Sequence, residues 1–325
     1  MLEVEDLSIA FRTATGPLAV TRGVSFSIAP GERLGVVGES GCGKTVTGLS
    51  ILRLLPARST EIGGRILFEG RDLARLSEPQ MREIRGRDIA MIFQEPMTAL
   101  DPVFTIGEQI GEAWRTHFPG SKAETRERVI DALAKVGIPL PARRHDEYPH
   151  QLSGGMRQRV MIAMALICEP KLLIADEPTT ALDVTVQAQI TDLLLELSER
   201  AGTALMFITH DLGVVAEVCT RMITMYAGEV VEDAPVDDAL LRPHHPYTSG
   251  LLRSLPRLAP RRQKLPSIPG RVPTPAMMPP GCRFRERCAH AAAGCETEQT
   301  LSPIDTGRRV RCLRAAELHL PGAVA

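Results

Sequence analysis

With 325 residues, 44% hydrophobic and 24% charged, the chain is neither disordered nor collagen-like, and it is long enough for about two domains. Its 38 basic and 39 acidic residues leave a net charge of -1, which gives no electrostatic footprint for nucleic acid. No apolar run approaches the roughly 18 residues that cross a bilayer, and the opening Met1 to Asp6 lacks a signal-peptide pattern; the chain reads as cytoplasmic, meeting a membrane only through a partner.

In chain order, residues 1–35 alternate apolar and polar positions at Leu7, Ile9 and Phe11 and again at Val24, Phe26 and Ile28, which predicts antiparallel strands. A buried strand at 34–37 runs into Gly38-Glu39-Ser40-Gly41-Cys42-Gly43-Lys44-Thr45, followed by a helix-compatible stretch at 46–55. That octet fits the P-loop pattern G-x-x-x-x-G-K-[ST]. Its glycines let backbone N–H groups turn toward nucleotide phosphates, and the helix start adds its positive end. Lys44 is then placed between the β- and γ-phosphates and Thr45 on Mg2+.

Residues 63–70 read as another strand, and 105–170 as helices broken at Pro119, Pro139, Pro141 and Pro149. Within that region Leu152-Ser153-Gly154-Gly155-Met156 opens a helix whose Met156, Val160, Ala163, Met164 and Ile167 share one face. In isolation Ser153 is an ordinary helix cap. Beside a P-loop, the serine and two glycines make a second anion-binding terminus, and the economical reading is that it grips an ATP held by another subunit. Next, Leu172-Leu173-Ile174-Ala175-Asp176-Glu177 is an apolar strand ending in two acids; Asp176 suits Mg2+ and Glu177 suits polarising the attacking water. A helix at 184–201 and a buried strand at 204–209 complete an alternation that predicts a parallel sheet with covered faces.

Past about residue 230 the composition changes, with eight prolines between Pro256 and Pro280 that favour an extended linker or wrap. Seven cysteines occur. Cys42, Cys168 and Cys219 are scattered, whereas Cys282, Cys288, Cys295 and Cys312 crowd the C-terminus in the order C-x5-C-x6-C-x16-C. In a reducing cytosol such crowding reads as metal binding before disulfides, and the spacing alone names no metal.

These motifs and their spacing make residues 1 to about 250 resemble the ATP-binding cassette of an ABC transporter. The resemblance implies an α/β P-loop NTPase fold: a parallel core sheet, an antiparallel β subdomain and a helical subdomain at about 95–165, with 251–325 as a small Cys-containing C-terminal extension. It implies ATP and Mg2+ as cofactors and ATP hydrolysis as the activity. Position by position it makes Glu177 the base and His210 the residue that orients water at the γ-phosphate. Gln94 becomes the Mg2+-sensing glutamine, and Asp183, in Ala181-Leu182-Asp183, communicates across a dimer in which Ser153, Gly154 and Gly155 act in trans. Phe11 matches the adenine-stacking aromatic, although a buried strand phenylalanine fits the same position. Met156 departs from the family's commoner glutamine.

The segment Met91-Ile92-Phe93-Gln94-Glu95-Pro96-Met97-Thr98-Ala99-Leu100-Asp101-Pro102, then His245-Pro246-Tyr247-Thr248 and Ile268-Pro269-Gly270, are similar to the oligopeptide/dipeptide/nickel importer branch, in its "D"-type ATPase. That branch implies two transmembrane permease subunits as partners, a second ATPase of "F" type or a second copy of this chain, and an extracytoplasmic substrate-binding protein reached indirectly. It places the chain peripherally on the cytoplasmic face of the inner membrane. Peptides are the leading cargo, with nickel or another small solute as the alternative. It also implies a [4Fe–4S] cluster on Cys282, Cys288, Cys295 and Cys312, with Zn2+ as the alternative. From another class, a soluble ABC ATPase of translation or DNA repair would carry a second cassette or a long coiled-coil insertion, and neither is present. A regulator that binds ATP without hydrolysing it would not need Glu177 and His210.

Overall fold

The computed structural model describes residues 1–14, 16–94, 99–179, 183–255 and 267–323. Glu95, Pro96, Met97 and Thr98 of the importer-like motif, Ala181 and Leu182 before Asp183, and Pro256, Pro260 and Pro266 lie outside the described residues. In chain order the strands are β1 (Leu2–Thr13), β2 (Gly16–Ile28), β3 (Arg33–Val37), β4 (Thr60–Phe68), β5 (Arg71–Asp72) and β6 (Ile89–Ile92). They continue with β7 (Leu172–Asp176), β8 (Ala204–Thr209), β9 (Arg221–Tyr226), β10 (Glu229–Pro235), β11 (Ser302–Asp305) and β12 (Arg308–Val310). The chain divides into two compact units, one of residues 1–28, 33–74 and 208–325, the other of residues 29–32 and 75–207.

In the first unit, β2-β1-β4-β5 form an antiparallel sheet. Its core face follows from the alternation in β1: Leu2 and Val4 are buried, the phase slips, and then Leu7 and Ile9 are buried. The slip is a bulge at Asp6, whose φ of 50° lets an extra residue enter the strand without turning the later apolar side chains to solvent. The same unit holds β11-β12-β10-β9-β3. Here β3 and β9 pair in parallel, Leu34 against Arg221, and β9, β10, β12 and β11 pair antiparallel in succession. Leu34, Val36 and Val37 of β3 are buried, as expected of a strand covered on both faces.

The C-terminal segment is built into this sheet. Val310 and Arg309 of β12 pair with Glu232 and Asp233 of β10, and the Arg309 guanidinium lies 2.6 Å from the buried Asp233 carboxylate. Arg283 pairs with Glu229 at 3.2 Å where both side chains are nearly buried.

In the second unit β8-β7-β6 lie side by side, with β6 and β7 parallel from Ile89 opposite Leu172 to Ile92 opposite Ala175. Helices surround them, and their ends are set by local chemistry. Thr105 and Ser121 each form a capping box with the glutamate three residues on, starting the helices Ile106–Arg115 and Lys122–Lys135. Pro141 opens the short helix Pro141–Arg144, where its missing N–H costs nothing. Val160, Ala163 and Ile167 of the predicted apolar face are buried, and so are Met161, Ile162 and Ala165. The helix Gly154–Leu166 is thus enclosed on more than the one face that its periodicity marks.

Candidate functional site

The strand β3, buried from Leu34 to Val37, delivers the chain to Gly38, whose φ is 153°. A side chain is excluded there by space as well as conformation, because a Cβ would lie 2.2 Å from the Met225 carbonyl oxygen. The loop then curls around Lys44. This side chain is 5% exposed, and its ammonium donates to the carbonyl oxygens of Gly38 at 2.8 Å and Glu39 at 3.2 Å. Gly43, with φ 99°, starts the helix Lys44–Ile51 without any side-chain cap, so the helix start presents backbone N–H groups as a P-loop requires. Gly41 shares the loop's left-handed turns, with φ 78°, and Ser40 completes it. Cys42 is buried, and burial raises its thiol above the ordinary value despite the neighbouring Lys44, so it is a packed thiol and no nucleophile.

Glu39 is held from two sides by residues that the sequence reading did not single out for this. Its backbone N–H donates to the Tyr247 hydroxyl at 2.8 Å. Its carboxylate receives both terminal nitrogens of Arg287, at 2.7 and 3.0 Å. The paired carboxylate in turn raises the guanidinium above its ordinary value. Phe11 lies on β1 between Leu18 of β2 and Thr60 of β4 and is partly exposed. His210 is exposed directly after β8, where Asp211 caps the next helix by accepting from the N–H groups of Gly213 and Val214. That cap fixes the backbone after the histidine, and the Asp211 N–H, donating to the Thr209 hydroxyl at 3.0 Å, ties it to the strand before.

In the second unit all five residues of β7 are buried, and it ends at Asp176, 2% exposed. Glu177 follows with φ 46°, a left-handed conformation that costs a non-glycine residue and is sustained only where the surroundings impose it. Gln94 is brought to it: its Nε2 donates to a Glu177 carboxylate oxygen at 3.3 Å. The loop beyond is clamped by Gln158, which is buried and donates to the Pro178 carbonyl. No signal in the sequence marks Gln158, which stands between Arg157 and Arg159 and off the predicted apolar face of its helix. Ser153 and Asp183 are both exposed helix caps, accepting from the N–H groups of Met156 at 3.4 Å and Val186 at 3.0 Å. Gly155 faces Val186, whose Cγ1 a Cβ would meet at 3.2 Å, and Gly154 faces open space.

The ABC transporter family model matches residues 21–180, and the model of the oligopeptide/dipeptide transporter C-terminal region matches residues 231–295. A protein of Sinorhizobium fredii named a probable peptide ABC transporter ATP-binding protein is 55% identical over 324 residues, covering 98% of this chain and 96% of its own length. The chain belongs to the ABC transporter family. Another ABC relative, of Brucella abortus and named a peptide import ATP-binding protein, is 50% identical over 312 residues, covering 96% of this chain and 94% of its own length. The ATP-binding cassette MJ0796, solved as a dimer in a post-hydrolysis state with ADP and Pi, matches with a TM-score of 0.65 and 28% identity over 73% of this chain and 99% of its own. The protein cbiO1 of Clostridium perfringens, part of the ABC transporter complex cbiONQ, matches with a TM-score of 0.61 and 29% identity over 73% of this chain and 89% of its own. Membership makes the chain an ATPase that binds ATP with Mg2+. The Thr45 hydroxyl and the buried Asp176 carboxylate are hard oxygen donors of the kind that cation takes.

The expected metal centre at the C-terminal cysteines is corrected. Among the described residues no group of three or more His, Cys, Asp or Glu side chains is placed to hold a metal ion, so the iron–sulfur assignment on Cys282, Cys288, Cys295 and Cys312 fails, and zinc has no support. Cys282 and Cys288 pack against the buried aromatic cluster of Tyr226, Tyr247 and Phe284. Burial raises the thiols of Cys282, Cys288 and Cys312 above their ordinary value. In this setting Cys282 and Cys288 pack as small apolar residues.

Proposed function

We infer that the chain is the ATP-binding and ATP-hydrolysing subunit that energises an importer of oligopeptides or dipeptides. The observation that carries this reading is a P-loop closed around Lys44 in a chain whose residues 231–295 match the oligopeptide/dipeptide transporter C-terminal region. The peptide-import names of relatives aligned over nearly the whole chain support the cargo class.

In this reading residues 1–250 are the cassette and 251–325 the importer-specific extension. The loop Gly38 to Thr45 binds the phosphates through its Lys44 ammonium and through backbone N–H groups other than that of Glu39, which the Tyr247 hydroxyl holds, and Thr45, Gln94 and Asp176 hold Mg2+, which neutralises phosphate charge. Phe11 stacks on adenine. Glu177 accepts the proton of the attacking water while His210 orients that water against the γ-phosphate, so that catalysis is positioning and electrostatics. Ser153, Gly154 and Asp183, exposed at two helix starts, serve the ATP of a facing cassette together with the half-buried Gly155.

The partners are two membrane permease subunits, a facing ATPase of "F" type or a second copy, and a substrate-binding protein reached through the permeases. The chain then sits peripherally on the cytoplasmic face of the inner membrane. Among the described residues no helix is long and apolar enough to cross a membrane, which suits that placement.

A strain lacking the chain is expected to stop growing on short peptides as the only amino-acid source and to recover when the wild-type chain is restored. Unchanged growth on peptides, with nickel-limited growth lost instead, would reject the peptide cargo.

A further inference from the structure

The acid at the second position of the P-loop is electrostatically awkward, because a carboxylate there opposes the polyphosphate that the loop must bind. The fold deals with it from 248 residues away in sequence. Arg287 is 7% exposed and every nitrogen of its guanidinium is used. Nε donates to the Pro269 carbonyl at 2.9 Å, Nη1 to Glu39 Oε2 at 2.7 Å and to the Tyr226 hydroxyl at 3.4 Å, and Nη2 to Glu39 Oε1 at 3.0 Å. The guanidinium also lies over the Tyr226 ring, 5.6 Å from its centroid. Tyr226 and Tyr247 are fully buried, with ring centroids 4.7 Å apart, and Phe284 closes the cluster edge-on at 5.1 and 5.4 Å. Tyr247 is the same residue whose hydroxyl accepts the Glu39 N–H. A rigid aromatic base thus carries both contacts to one residue of the P-loop.

We propose that Arg287 is a positioning residue for nucleotide binding: the C-terminal extension neutralises Glu39 and holds its carboxylate so that the P-loop can accept a triphosphate. Two-point Arg–carboxylate pairing suits this role, because it fixes orientation as well as charge, which a lysine cannot do. The proposal rests on the reading of Gly38 to Thr45 as the phosphate loop, and it gives the extension a part in ATP affinity.

The test is a double-mutant cycle on the purified full chain, reading the Kd of a fluorescent ATP analogue with Mg2+, with the thermal midpoint of each nucleotide-free variant measured alongside. Arg287→Ala is expected to weaken binding about tenfold when Glu39 is present and less than about twofold in the Glu39→Gln background, since the charge it offsets is then gone. Arg287→Lys, which keeps the charge and loses the fork, is expected to fall between, and it carries the test alone if Arg287→Ala does not fold. Equal losses in both backgrounds would mean that Arg287 only supports the tail, and no loss in either would end the proposal. Lys44→Ala separates the two levels: if it binds the analogue normally, the phosphate-loop reading fails, and if it alone loses binding, only the role of Arg287 fails.

Discussion

Replacing Glu177 with Gln is expected to lower ATP turnover by at least about a hundredfold while ATP still binds. Glutamine has nearly the same shape and still accepts the Gln94 amide that lies 3.3 Å from the Glu177 carboxylate, so the loop has no reason to move. What it loses is the ability to take a proton from water. The backbone argues the same way. At φ 46° Glu177 occupies a conformation that a glycine would hold at lower cost, so the side chain is retained against strain. Phosphate release measured beside binding of a fluorescent ATP analogue checks the split. Turnover within a fewfold of wild type would remove Glu177 from its role.

Lys44→Ala is expected to act on the earlier step, weakening ATP binding by roughly a hundredfold. The ammonium is nearly buried and satisfied by two loop carbonyls, at 2.8 and 3.2 Å. On nucleotide binding it exchanges these neutral acceptors for phosphate oxygens, and charge-assisted bonds contribute about 1.5–3 kcal/mol each. Losing the side chain therefore costs about 3 kcal/mol, or roughly two factors of ten in Kd. It also takes the ammonium from the Gly38 carbonyl and leaves the Glu39 carbonyl with the Cys42 N–H at 3.3 Å, which loosens the loop. Titration with the same analogue checks this, and an affinity within about threefold of wild type would contradict it.

The parts of the site that were legible in the sequence are those whose chemistry is local. The P-loop glycines, the acid-ended strand β7, the strand at 204–209 and the helix at 184–201 each announce themselves within about ten residues, because period, turn and charge sit side by side. Gln158 carried no signal, since it stands between two arginines and its partner, the Pro178 carbonyl, lies in another element. Tyr247 stood in a recognised importer motif and Arg287 among the cysteines, yet their common target, Glu39, is on the far side of the sequence. No periodicity reports such a contact. The pairing of β12 with β10 escaped for the same reason, a three-residue strand rich in arginine having no strand signature of its own. The cysteine segment shows the opposite failure. Crowding in sequence suggested ligands, but what decides a metal site is the arrangement of several side chains in space, and among the described residues no group of three is placed to hold an ion.

Coupling is read by following ATP hydrolysis and peptide accumulation in the same proteoliposomes, containing the chain, its facing ATPase and both permeases, with substrate-binding protein and labelled peptide on the opposite side. The expected result is peptide uptake that requires ATP and rises with phosphate released, both falling together when the chain carries Glu177→Gln. Peptide uptake that continues at the wild-type rate with that variant, or phosphate release that never moves peptide, would contradict it.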